Sequence, residues 1–340
     1  MNTARVVADL SRLELFSGRS QIELEPLASM LSPVDAAEGA VVARQGEAAL
    51  SFLLLITGEA AVARDDGQGE RRVGTVMPGS ILGELSVLRA APRSATVTAI
   101  RPLTGYAGDA HAFSILLHVP GVADRVAHTA RQRLAANTRP VEVTLRDGAR
   151  LSIRPVLPTD RGKLADSQPG FSRESHYRRF FSAPPLSDKV VEYLIDVDYV
   201  DHFAWAVLAA EEPGEPGIAS ARYIRERDDP DIAEVAFAVV DDNQGRGLGT
   251  LLLGALAVAA RENDVRRFRA RVLSENTAMR AVLRRAGARL EFAEPGVLET
   301  VLDVPDFGEG LPDLATANAL RDTTRDVVVA ADLALGAGTH

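Results

Sequence analysis

The stretch from Glu234 to Gly254, E-V-A-F-A-V-V-D-D-N-Q-G-R-G-L-G-T-L-L-L-G, constrains the fold more than any other part of the chain. An apolar, β-branched run from Val235 to Val240 has the length of a buried strand, and from Thr250 onward the pattern is that of an amphipathic helix. A glycine-rich loop joins them. Gly245, Gly247 and Gly249 carry no Cβ, so backbone N–H groups at the helix start can approach a bulky anion, to which the helix terminus adds partial positive charge. Arg246 supplies a full one. A pyrophosphate suits such a loop, although a lone G-x-G also occurs in ordinary strand-to-helix turns.

The match runs past the glycines. Gln244-Gly245-Arg246-Gly247-Leu248-Gly249 resembles Q/R-x-x-G-x-G/A, the acetyl-CoA pyrophosphate loop of the GNAT acyltransferases. Downstream, Ser274-Glu275-Asn276-Thr277-Ala278-Met279-Arg280 and Arg284-Arg285-Ala286-Gly287-Ala288 resemble that family's N-x-x-A and G-F segment. The resemblance covers roughly Val141 to Asp303. It implies that Gln244, Gly245, Arg246, Gly247, Leu248, Gly249 and Thr250 hold the diphosphate, with Arg285 meeting a phosphate and Asn276 the pantetheine arm. Backbone N–H groups around Phe237, Ala238 and Val239 are expected to take the thioester oxygen.

Transfer of an acetyl group to lysine needs a base, because the amine has a pKa near 10.4. Glu234, at the start of the strand that leads into the loop, stands where GNAT protein acetyltransferases keep a glutamate base. The expectation is a carboxylate half-buried among Val235, Phe237 and other apolar groups, with a raised pKa; the alternative is a surface glutamate on an edge strand. Leu283 stands where many relatives carry a general-acid tyrosine, which leaves the proton donor open. A thiolate, with pKa near 8.5, leaves without much help. The chain has no cysteine, so there is no Cys-linked acyl-enzyme and attack must be direct.

A second constellation lies in the N-terminal half. Val41-Val42, Phe52 to Ile56, Ala60 to Ala63, Val73 to Val76 and Ala95 to Ile100 read as short strands between glycine-rich turns, the pattern of a small barrel or jelly roll. Between two of them, P-G-S-I-L-G-E-L-S-V-L and A-P-R-S-A-T-V enclose a short helical turn. It offers N–H groups at Leu85 and Ser86, a carboxylate at Glu84 and a guanidinium at Arg93, which is what one phosphate charge and a ribose 2′-OH require. A surface ion pair between Glu84 and Arg93 is the plainer reading of the charges.

The whole pattern resembles the phosphate-binding cassette of cyclic-nucleotide-binding domains, over about Leu10 to Arg139. Carried over, it assigns Gly83, Glu84, Leu85, Ser86, Arg93 and Ser94 to cAMP. After Tyr106 two helices are expected, Ala110 to Leu117 and Val122 to Ala136, the second offering Arg131, Gln132 or Arg133 to the purine edge, with Arg133 chosen.

The expected architecture is α+β in two domains. Residues 1–139 form a β jelly-roll cyclic-nucleotide-binding domain with flanking helices, and residues 140–304 a GNAT domain with a mixed α/β sheet. Residues 305–340 form a helical extension, a lid or interdomain strut or simple packing. The polar residues Asn137 to Pro140 mark the junction, and a mostly helical stretch from Pro158 to Val200, with R-R-F-F at Arg178 to Phe181, is expected to cover the substrate cleft. His176 and His202 stand there as isolated histidines, so no metal is assigned.

No apolar run reaches the roughly 20 residues a membrane span needs, and Asp9, Arg12 and Glu14 interrupt any signal-peptide core, which points to the cytoplasm. A net charge of −9 disfavours nucleic acid. The combination resembles the cAMP-regulated protein lysine acetyltransferases of the Pat type. It implies acetyl-CoA as co-substrate, cAMP as effector relieving autoinhibition at Glu234, and lysines of acyl-CoA synthetases and other proteins as acceptors. A cAMP-gated acetyltransferase for a small amine and a non-catalytic sensor of cAMP and acetyl-CoA remain as alternatives. A transcription factor lacks its helix-turn-helix.

Overall fold

Two sheets, each with its own helices, organise the computed structural model, which describes residues 2–48, 50–65, 67, 69–89, 91–180 and 185–336. The chain divides into one unit made of Met1–Ala130 together with the chain from Ala330, and a second running from Arg131 to Val329. Phe181, at the end of the R-R-F-F run, lies outside the described residues.

The first unit begins with helices α1 (Thr3–Leu10) and α2 (Gln21–Met30), followed by strands β1 (Ser32–Ala36), β2 (Val41–Ala43), β3 (Phe52–Asp65), β4 (Glu70–Val76) and β5 (Ile81–Leu82). A short helix α3 (Glu84–Arg89), strand β6 (Thr96–Gly108) and helices α4 (Ala110–His118) and α5 (Val122–Asn137) complete it. The strands run in the order β1-β6-β3-β4, with β2 on β6 and β5 on β3. Ser20 starts α2 through a reciprocal cap, in which the Glu23 carboxylate accepts the Ser20 N–H at 2.7 Å.

Two apolar clusters hold this unit. Leu55, Ala60, Val97, Ala99 and Leu103 fill the inside of the strands, while Leu10, Leu24, Leu27 and Val122 pack on Phe52, Leu54 and Phe113. The sequence predicts a turn at Thr57-Gly58-Glu59 between two strands, but β3 runs through it with register shifts at those residues. Gly58 makes this possible. Its φ is +87°, and a Cβ there would lie 2.3 Å from the Pro102 carbonyl oxygen.

The second unit takes the end of α5, then β7 (Val141–Thr144), β8 (Arg150–Pro155), α6 (Arg161–Ser167), α7 (Arg173–Phe180), α8 (Asp188–Ile195), β9 (His202–Ala209), β10 (Gly217–Arg225) and β11 (Ile232–Val239). Helix α9 (Leu248–Glu262), β12 (Arg267–Leu273), α10 (Thr277–Arg285), β13 (Glu291–Glu294), β14 (Val297–Asp303) and α11 (Leu314–Gly336) follow. The sheet order is β13-β14-β12-β11-β10-β9-β8-β7, antiparallel except where β11 meets β12. A parallel pair needs a crossover, and α9 is that helix. Its residues from Leu251 to Ala260 are buried, and Trp205 on β9 ties down its middle by donating its indole N–H to the Ala255 carbonyl at 3.0 Å.

The division at Ala130 falls inside α5, upstream of the Asn137 to Pro140 junction read from the sequence, because Ala135 packs into the second unit's core. Ala317, Leu320 and Val327 of α11 are likewise fully buried in that core. Among the described residues no helix is long and apolar enough to cross a membrane.

Candidate functional site

Strands β11 and β12 pair only at Ile232↔Arg267, Ala233↔Phe268 and Glu234↔Arg269. Beyond Glu234 they part, and β11 continues on β10 alone. Val240 donates its N–H to Ile218 of the β10 side at 2.9 Å, and Val239 turns its carbonyl the other way, to the Gln244 side chain at 3.2 Å. Backbone groups alternate along a strand, so the N–H groups of Phe237 and Val239 open onto the gap and that of Ala238 points into the sheet. Of the three amides read from the sequence, two are thus aimed at the cleft.

The loop after β11 ends in the start of α9. Gly245 and Gly247 have φ of +77° and +91°, and Gly247 is the left-handed N-cap of the helix. Both bends need glycine. Gly249 serves helix packing instead, since a Cβ there would sit 3.1 Å from Val282 of α10. Gln244 N–H bonds Asp241 and Thr250 N–H bonds Gly247, while the five amides from Gly245 to Gly249 find no partner among the described residues. Five successive free N–H groups at a helix N-terminus form an anion cradle.

The flanking side chains are engaged. Arg246 donates to Asp147 at 2.7 Å and to Asn243 at 2.8 Å, and the contact with Asp147 raises the Arg246 pKa and holds Asp147 below the usual carboxylate range. The Gln244 amide donates to Ser175 of α7 at 3.1 Å, and Ser172 donates its N–H to Asp241 at 3.2 Å. The segment around α7 is therefore fastened to the cradle. Asn276 caps α10 by accepting from Met279 N–H at 3.0 Å, and Arg285 is exposed in the last turn of that helix. Leu283 is fully buried.

Glu234 is exposed, not half-buried among Val235 and Phe237. The strand period explains the difference, since Val235 and Phe237 turn to the opposite face and pack into the core. Glu234 shares its face with Ala236 and Ala238, and with the residues opposite them: Ile224, Arg222 and Ser220 on β10, and beyond these His202, Ala204 and Ala206 on β9. Arg269, directly across from Glu234 on β12, is held by Glu226 at 2.5 Å and Glu299 at 2.6 Å.

A cavity lies over this face, under α6, α7 and α8, and Arg179, Arg222, Ser220 and Ala238 line it. Burial lowers the Arg179 pKa to about 10, against the opposing charge of Glu234. Burial also brings Arg222 down to about 9, with Arg179 adding to the drop. His202, 8% exposed and stacked on Tyr193 at 5.1 Å, accepts from Arg222 through Nε2 at 3.0 Å. Burial, and then the Arg222 charge, push its pKa down to about 4. Sequence reading singled out neither Arg222 nor the strand β12, although R-F-R-A-R-V-L at 267–273 alternates as a half-buried strand should.

A test of acid stability follows. Between pH of about 6.5 and 4 the unfolded chain binds a proton at His202 that the folded chain refuses, so stability is full above that window and falls on acidification through it. The loss is on the order of 3 kcal/mol. Denaturant unfolding from pH 7 to pH 4 is expected to show a smaller loss in His202→Gln; equal slopes in both proteins would contradict the assignment.

In the first unit, Gly83 (φ +79°) opens α3, and a Cβ there would collide with the Arg93 guanidinium at 1.8 Å. Arg93 thus lies across a bare glycine, donating to the Ser51 carbonyl at 2.6 Å. Burial lowers its pKa, with Glu84 and then Glu47 opposing. Its backbone is fixed separately, N–H to Glu47 and carbonyl to Gly46 N–H. Glu84 is 1% exposed and Ser86 5%, with the Ser86 hydroxyl 3.4 Å from the Pro92 carbonyl. Ser94 is exposed. A cation, a buried carboxylate and a short helix start are thereby brought together; Arg133 lies further along, on α5, past the division at Ala130. No group of three or more His, Asp or Glu side chains among the described residues is placed to hold a metal ion.

Both units have counterparts among known proteins. The family model of the cyclic nucleotide-binding domain matches residues 33–118, and that of the acetyltransferase (GNAT) domain matches residues 150–289. The curated acetyltransferase Pat of Mycolicibacterium smegmatis is 44% identical over 321 residues, 94% of this chain and 96% of that protein. A solved structure of a mutant cAMP-binding acyltransferase from Mycobacterium smegmatis is 41% identical, covering 97% of this chain and 98% of that one with a TM-score of 0.50. Over 90 residues, 26% of this chain and 21% of the relative, it is 33% identical to a cAMP-dependent protein kinase regulatory subunit of Mucor circinelloides.

Proposed function

The chain belongs to the Pat acetyltransferases and is an acyltransferase of the GNAT type, and from that premise we propose that it moves the acetyl group of acetyl-CoA onto protein lysines under the control of cAMP. Acyl-CoA synthetases are the acceptor class we favour. The observation that carries the reading is the pairing of parted strands with the five open amides of Gly245 to Gly249. One receives a thioester and the other the diphosphate of its carrier.

Each step then has a group. The diphosphate sits on the α9 cradle, and the thioester carbonyl accepts from the N–H groups of Phe237 and Val239, which meet the charge that develops on oxygen. Glu234 takes the proton of the incoming amine, directly or through water, and the freed nitrogen attacks the carbonyl carbon. Its exposure gives a lysine on another protein a way in. The C–S bond breaks, and a thiolate with pKa near 8.5 departs.

Control by cAMP rests on the cassette at Arg93 and on the fastening of α7 to the diphosphate loop. A ligand activates only by binding the open state more tightly, and couplings of about 1 to 3 kcal/mol are typical. Helix α5 is a candidate for the shared element, since Val122 and Val126 pack in one core and Ala135 in the other. Incubating the purified chain with acetyl-CoA, cAMP and a bacterial proteome is expected to leave acetyl-lysine on proteins, read by mass spectrometry. Consumption of acetyl-CoA only when small amines are added, with lysines unmodified, would favour a small-amine enzyme.

A further inference from the structure

Arg222 has no part in the transfer steps above, yet its setting is costly. It is 5% exposed, and among the described residues it donates only to the Leu194 carbonyl at 3.0 Å and to His202 at 3.0 Å. No carboxylate among those residues pairs with it. A buried charge without a counter-ion is destabilising, and such a group at a cavity wall marks a place for an anion. Of the other charges of the cavity, Arg179 is met by the opposing charge of Glu234. Asp160 is bound to Arg154 at 2.6 Å, and Lys163 donates to the Gly214 and Glu215 carbonyls at 2.7 Å each.

The position of Arg222 says what kind of anion fits. It stands directly opposite Ala236, on the face that carries Glu234 and Ala238. A thioester carbonyl held at Phe237 and Val239 would send its acyl substituent over Ala236 and Ala238, whose side chains leave room. One strand spacing, about 4.8 Å, separates that line from β10. An acetyl methyl does not span it. A four-carbon dicarboxylic acyl group does, since three C–C bonds of about 1.5 Å carry its free carboxylate roughly 4 Å from the carbonyl carbon.

We propose that the cavity between Ala238 and Arg222 receives the free carboxylate of a short dicarboxylic acyl-CoA, so that the chain transfers an acidic acyl group to lysine as well as acetyl. The step balances as for acetyl: the N–C bond forms, the C–S bond breaks, the amine proton passes to Glu234 and CoA leaves as thiolate. The inference rests on the placement of the thioester at Phe237 and Val239 argued under the proposed function.

Titration calorimetry of the full chain with acetyl-CoA, butyryl-CoA and succinyl-CoA, all with cAMP present, tests it. Succinyl and butyryl differ in charge at equal length, so the unaltered protein gives the answer. Succinyl-CoA is expected to bind about ten- to a hundredfold more tightly than butyryl-CoA. Arg222→Gln is expected to abolish that preference and Arg222→Lys to keep part of it. Equal or tighter binding of butyryl-CoA, or a succinyl preference that survives in Arg222→Gln, overturns the inference and leaves acetyl transfer standing. Failure of all three thioesters to bind overturns the acyl-CoA site itself.

Discussion

Replacing Glu234 with glutamine is expected to slow acyl transfer to lysine by roughly a hundred- to ten-thousandfold, the usual worth of a positioned general base. On the proposed mechanism the substitution leaves a protonated amine with nothing to accept its proton, while the diphosphate cradle and the amides of Phe237 and Val239 stay in place. The loss is therefore expected in kcat, with the dissociation constant for acetyl-CoA little changed. Because Glu234 is exposed, the fold has small stake in it, and exposed substitutions usually alter stability by less than about 0.5 kcal/mol. Steady-state kinetics beside a thermal melt separates the two effects. A variant that melts normally and still acetylates at an undiminished rate would remove Glu234 from the chemistry.

Replacing Arg93 with glutamine is expected to weaken cAMP binding by about 30- to several-thousandfold, which corresponds to losing about 2 to 5 kcal/mol from a desolvated charge pair. The guanidinium lies over Gly83, where no other side chain fits, and beside Glu84, which is 1% exposed. A glutamine keeps some length and loses both the charge and the fork. Lysine keeps the charge alone, so Arg93→Lys is expected to fall between. The backbone bonds of Arg93 to Glu47 and Gly46 do not involve the side chain, so the loop geometry is expected to persist. Calorimetry with cAMP gives the comparison; equal affinity in wild type and Arg93→Gln would place the nucleotide elsewhere.

What the sequence made legible was local. Gly245 and Gly247 announce a helix start that needs positive φ, and β11 announces itself by β-branching, because both signals lie within a few residues of each other. The misjudged features depend on partners distant in the chain. Glu234 looked half-buried because Val235 and Phe237 adjoin it in sequence, whereas a strand sends neighbours to opposite faces. Arg222, in S-A-R-Y-I-R, reads as an ordinary polar position on a strand; its burial comes from β9, β11 and α8 closing round it. Strand β12 reads as polar in the sequence because of Arg267, Arg269 and Arg271, yet it is the strand whose departure from β11 opens the cleft. The turn expected at Gly58 failed for a related reason, since β6 supplies the pairing that carries β3 through it.

The central claim is that a cyclic nucleotide at Arg93 governs acyl transfer at Glu234 in the same chain. It is tested most directly by titrating the purified protein with cAMP while following acetyl-CoA turnover on a lysine-bearing acyl-CoA synthetase. A saturable rise in rate, about 5- to 150-fold for a coupling of ordinary size, is what the account predicts. A rate that is the same at every cAMP concentration, in a protein that calorimetry shows to bind cAMP, would contradict it.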